Sequence, residues 1–162
     1  MKRLNLTLAL AAAGLMTGAS VLAASTTHDL AVSAAVIGNC KFNAASGTTL
    51  TIANSGASID PSVATDASGT ADITYRCTKN TVASVGANDG LHSTGPAARR
   101  VRLGVTTNYM PYSLAAGANC AGTGLGHASD LTCTVTGGIV VADFVAAPAG
   151  TYTDTVVLTI SP

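Results

Sequence analysis

An all-β sandwich is the fold this sequence predicts, on three observations. Short Thr- and Val-rich runs alternate with clusters of Gly, Asn, Asp and Ser. Apolar residues in those runs recur with a period of two, the mark of a strand with one buried face. No stretch after residue 25 keeps helical spacing over three turns, and Ala pairs such as Ala97-Ala98 are too short to nucleate a helix.

The elements follow in order. Leu30, Val32, Ala34 and Val36 alternate ahead of Cys40 and predict an opening strand over residues 29–41. Further strands are expected over residues 48–53, 70–78, 81–86, 99–106, 110–115, 131–136, 138–145 and 151–160. The last has the cleanest alternation, with Tyr152, Asp154, Val156, Leu158 and Ile160 on one face, and Pro162 follows two residues later. Turn clusters fall at residues 43–47, 54–69, 87–96, 116–130 and 146–150. With no linker composition and no fixed-period repeat, the pattern reads as one domain.

Residues 1–23 read as a cleaved secretory signal peptide. Lys2 and Arg3 precede an apolar run over residues 8–15, and a small-residue exit follows at Ala23-Ala24-Ser25. The exported chain then keeps six Lys and Arg against eight Asp, with no Glu, a net charge of −2. That balance argues against nucleic acid, whose phosphates need a basic surface, and against a polybasic membrane anchor. No later segment is long and apolar enough to insert into a bilayer as a helix. Arg99, Arg100 and Arg102 form the basic cluster, with Arg100 and Arg102 sharing a strand face; the expectation is a solvated edge strand whose charges discourage unwanted pairing.

Cys40, Cys77, Cys120 and Cys133 form an even set in an exported chain, so they are read as disulfides. Three pairings are possible. The preferred one joins Cys40 to Cys77 and Cys120 to Cys133, each bond contributing about 3 kcal/mol by restricting the unfolded chain. Metal ligation is disfavoured because no Cys-x-x-Cys pair exists. His28, His92 and His127 are widely separated and sit near turns or the terminus. Asp143 and Asp154 read as outward polar residues of strands, and no nucleophile elbow or phosphate loop is present. No enzyme activity, cofactor or metal is expected.

Four segments carry a family resemblance: Leu30-Ala31-Val32-Ser33-Ala34-Ala35-Val36 before Cys40, Thr70-Ala71-Asp72-Ile73-Thr74-Tyr75-Arg76-Cys77-Thr78, Met110-Pro111-Tyr112-Ser113-Leu114, and Gly150-Thr151-Tyr152-Thr153-Asp154-Thr155-Val156. Together they resemble the spore coat U domain, a family that includes pilin subunits of the archaic chaperone-usher pathway. The resemblance implies an immunoglobulin-like sandwich lacking its final strand, completed by the opening arm of a sister subunit. Strand addition of that kind is how chaperones and pilins complement one another. It also implies a division into residues 24–38 as donor strand and 39–162 as the sandwich, with Leu30, Val32, Ala34 and Val36 entering the neighbour's groove. Implied partners are neighbouring pilin subunits, a periplasmic chaperone and an outer-membrane usher. The implied location is a fimbria on the cell surface, serving adhesion or biofilm formation. The alternative is a secreted, monomeric sandwich that fills its own groove with residues 28–37 and binds ligands through its loops.

Overall fold

The structure, a computed structural model, describes residues 25–44 and 49–162; the expected signal peptide lies outside them. The chain divides after Ala34. Residues 25–34 of the first unit are exposed and carry neither strand nor helix. The second unit, Ala35–Pro162, holds the strands described below.

In chain order these are β1 (Cys40–Phe42), β2 (Ala67–Cys77), β3 (Val82–Ala87), β4 (Arg100–Leu103), β5 (Tyr109–Pro111), β6 (Ser113–Ala116), β7 (Ala121–Thr123), β8 (Leu131–Ile139), β9 (Tyr152–Thr153) and β10 (Leu158–Ser161). A 3-10 turn spans Ala118–Cys120, and one helical turn, α1, spans Val141–Phe144. One sheet has the order β1-β2-β8-β6. The facing layer is made by β10-β3-β7 and β5-β4-β9. Every pairing between these strands is antiparallel.

The longest ladder joins β2 to β8 in register from Ala67↔Ile139 to Tyr75↔Leu131. Period-two alternation turns Ile73, Tyr75 and Cys77 of β2, and Cys133, Val135 and Ile139 of β8, into the interior. All but Ile139 cluster with Ala83 and Val85 of β3, with Leu158 and Ile160 of β10 packed alongside. A second cluster gathers Ala67, Ile139, Met110 and Phe144 against Val101 and Tyr152. The two clusters make this a two-layer sandwich.

Both disulfides are embedded in this frame. Cys40 bonds Cys77, its register partner across the β1–β2 ladder. Cys120 bonds Cys133, tying the 3-10 turn to β8. The loop at residues 54–66 is organised by one side chain: the Asn54 amide donates to the carbonyls of Asp60, Val63 and Thr65, and its oxygen accepts the Asp60 N–H. Asp60 in turn accepts from the Ser62 hydroxyl and N–H, which holds its carboxyl below the ordinary range.

The all-β expectation holds, and several elements differ. The opening strand shrinks from residues 29–41 to Cys40–Phe42, because a strand needs a hydrogen-bonded neighbour and residues 29–39 join no ladder. Of residues 48–53, position 48 is outside the described residues and only Ala53 makes a bridge, to Ser68. The strand expected at residues 110–115 breaks at Tyr112, whose N–H turns to the Arg99 carbonyl. The strands expected at residues 131–136 and 138–145 are one strand, β8, followed by α1. Gly137 and Gly138 continue the ladder, and the Asp66 carboxylate accepts the Val141 N–H where the helical turn begins. Asp143 therefore lies in α1 and not on a strand. The strand expected at residues 151–160 splits into β9 and β10, since the stretch between them pairs with the irregular segment 88–91 through the Thr155 and Val157 carbonyls.

The arginine cluster is also corrected. β4 is the central strand of β5-β4-β9, so Arg100 and Arg102 protect no edge. Among the described residues no helix is long and apolar enough to cross a membrane.

Candidate functional site

Between the two layers the sandwich is open on one side. Residues 40–43 and Ala53 both pair with the same edge of β2. Residues 49–52 pass over the inner face of the sheet at Gly69 and Gly137, which are register partners on β2 and β8. A Cβ at Gly69 would collide with the Thr51 carbonyl. At Gly137 it would stand 2.8 Å from Leu50 and 3.1 Å from Ile52. The cross-strand glycine pair is thus the saddle over which this segment crosses.

The opposite wall is the closing segment. β9 pairs with β4 and β10 pairs with β3, and each stands last in its row of strands. One backbone edge of the closing segment is therefore used, and its residues 151–154, 156 and 158 line an open groove of about 840 Å³. Leu50 and Ile52 line one side, Tyr152, Val156 and Leu158 the other. Ala71, Ile73 and Val135 make the floor, and Phe144 with Met110 flanks one end. Such a slot, apolar along its walls and bordered by unpaired strand backbone, suits an extended peptide with apolar residues at every second position.

Among the polar side chains that line the groove, Tyr112 and Asp154 are bonded to each other. The Tyr112 hydroxyl donates to Asp154 Oδ2 at 2.7 Å, and the His92 N–H donates to Asp154 Oδ1 at 3.1 Å. Burial, reinforced by the neighbouring carboxylate, pushes the Tyr112 hydroxyl far above its ordinary range, so it stays a donor. Gly90, at φ +87°, gives this carboxylate its room, because a Cβ there would run into Asp154. The arrangement fastens the closing segment to the body.

The residues expected to form the donor strand carry neither strand nor helix. Leu30, Val32 and Val36 are 83%, 85% and 85% exposed, and Ala34 is exposed as well. His28 and His127 are exposed, while His92 packs edge-on near Tyr109. Among the described residues no three His, Cys, Asp or Glu side chains converge as a metal site. Sequence reasoning missed the glycine saddle. The signal available was a lone Gly69 inside an otherwise regular strand, which marks close backbone approach.

No curated protein matches this chain significantly. A solved structure to which it is similar is the CsuC–CsuE chaperone–tip adhesion subunit pre-assembly complex from archaic chaperone-usher Csu pili of Acinetobacter baumannii. The identity is 19% and the TM-score 0.46, covering 77% of this chain and 40% of that one. The chain thus spans less than half the length of that neighbour. The description of the Spore Coat Protein U domain matches residues 26–159, nearly all of the described chain, and the chain belongs to that family.

Proposed function

We propose that this chain is a structural subunit of a bacterial surface pilus, assembled by the chaperone-usher route through donor-strand addition. The reading divides it into a donor arm, residues 24–38, and a groove-bearing sandwich, residues 39–162. The observation that carries it is the groove between residues 49–52 and the unpaired edge of β9 and β10. Family membership and the alternation of Leu30, Val32, Ala34 and Val36 support the same reading.

The dimensions agree. An arm of residues 28–37 extended as a strand reaches about 33 Å, and the closing segment over residues 152–161 offers a similar length of edge. Burying Leu30, Val32 and Val36 gains on the order of 5 to 9 kcal/mol, with less from Ala34. New backbone hydrogen bonds add about 0.5 to 1.5 kcal/mol each. Those gains must exceed the ordering of the arm and the lost freedom of the subunit, so slow dissociation contributes to persistence as much as equilibrium does. Because arm and groove are different surfaces, the contact is heterologous and propagates a fibre. Until a neighbour arrives the groove is an open strand edge prone to aggregation. A periplasmic chaperone lending a strand answers that hazard, and an outer-membrane usher then delivers the fibre to the surface for attachment or biofilm formation.

The test is deletion of residues 25–36. The shortened chain should form a chaperone-bound monomer that accepts an arm, donates none, and shortens fibres seen by electron microscopy when co-expressed with the full chain. Continued polymerisation of the shortened chain by itself would refute the donor assignment. A full chain that elutes as a sharp monomer at every concentration would point instead to self-complementation.

A further inference from the structure

The outer face of β4 poses a question the groove does not answer. Arg100 and Arg102 lie on the same face of a central strand, opposite Val101, which turns inward to the groove. Arg102 is the register partner of Tyr109, and Arg100 that of Pro111. Each arginine is held by its Nε alone: Arg100 donates to the His92 carbonyl at 3.1 Å and Arg102 to the Gly104 carbonyl at 2.9 Å. The Arg100 guanidinium is further pinned over the Tyr109 ring, 4.2 Å from its centre, while His92 meets that ring edge-on.

These two cations differ from their neighbours. Arg76 pairs with Asp130, and Arg99 lies 3.7 Å from Asp89. Among the described residues, which include every acidic residue of the chain, no carboxylate pairs with Arg100 or Arg102. The terminal guanidinium nitrogens of both therefore keep their donors free of protein acceptors, on stems already fixed by backbone and ring. Residues two apart on a strand sit about 7 Å apart along one face, so the two arginines rise from neighbouring positions. A guanidinium fork matches a carboxylate in bidentate geometry.

We infer that the outer face of β4, through Arg100 and Arg102 with Tyr109 beside them, binds a carboxylated polysaccharide. The chemistry favours this partner over a phosphate polymer. Two free cations on a chain of net charge −2 after export cannot supply the many phosphate contacts that hold nucleic acid. Two preorganised forks are enough to take two carboxylates of one uronate chain at once, with the hydroxyls of Thr107 and Thr153 and the Asn108 amide exposed nearby for sugar hydroxyls. Because the face is back to back with the groove, a ligand here leaves the groove open.

The experiment is retention of the full exported chain on immobilised polygalacturonate, with neutral dextran and duplex DNA as comparison surfaces. The chain should bind polygalacturonate, with affinity falling as salt rises, and bind neither comparison surface appreciably. R100Q and R102Q should each weaken binding about tenfold. The pair K41Q/K79Q, which removes two positive charges elsewhere, should leave it unchanged. On the wild-type chain, polygalacturonate should shift the NMR signals of Arg100, Arg102 and Tyr109, a readout that needs no variant to fold. Four outcomes would overturn the inference: no binding, equal binding to dextran or DNA, an equal loss in K41Q/K79Q, or unmoved arginine signals.

Discussion

Tyr75 brings a hydroxyl into the centre of the sandwich and leaves it without a partner. The side chain is fully buried between β2 and its facing layer, and its oxygen meets no donor or acceptor. Burial also raises the pKa of the phenol, so it stays neutral. An unpaired buried hydroxyl costs about 1 to 3 kcal/mol, whereas the ring itself contributes ordinary apolar burial. Tyr75→Phe should therefore raise stability by about 1 kcal/mol, read as a later urea midpoint at unchanged slope. An earlier midpoint would mean the oxygen has a partner after all. The inward direction of Tyr75 was legible from alternation with Ile73 and Cys77; the lack of a partner was not, since it depends on what lies across the core. Arg100 and Arg102 teach the same lesson. Their shared face could be read from spacing, but the position of β4 between two neighbours comes from pairings with residues 109–111 and 152–153.

At the level of elements, what the sequence revealed depends on whether an element's partners are regular. β2 and β3 were legible because each pairs with a regular strand and buries one face. α1 was not, because its first N–H is taken by Asp66, 75 residues earlier. The bend between β9 and β10 was hidden for a related reason: Asn88 Oδ1 accepts the Val157 N–H, a bond made by a distant loop side chain. The groove wall at residues 49–52 was read as a strand, though its placement follows from the absent side chains of Gly69 and Gly137. The Cys40–Cys77 bond has its consequence at this scale, under the pilus reading. Tension on an arm seated in a neighbour enters the body at residues 35–39 and reaches β2 covalently at Cys77. The long β2–β8 ladder then carries it. Without the bond, three register pairs of β1 resist, and their loss passes tension to the segment that walls the chain's own groove. Fibres of C40S/C77S should therefore lengthen and rupture at lower force in single-fibre pulling. An unchanged rupture force would show that load takes another path.

For the whole molecule, an apolar slot of about 840 Å³ beside an unpaired strand edge means that stability depends on what fills it. A ligand that binds the folded state alone stabilises it by RT ln(1 + [L]/Kd), about 2.7 kcal/mol at a hundredfold excess over Kd. For a domain of this size that corresponds to a rise in Tm of roughly 8 to 13 °C. A synthetic peptide of residues 25–37, added to the chain lacking residues 25–36, should produce such a rise and make it depend on peptide concentration. The same peptide with Val32→Asp should lose most of the effect, because a carboxylate entering an apolar slot forfeits its hydration without gaining a partner. The comparison separates insertion from adhesion to an exposed patch: a strand in register places Val32 at one fixed depth, whereas loose association tolerates a single polar residue. Equal stabilisation by both peptides, or none by either, would mean that the groove is not the arm's seat.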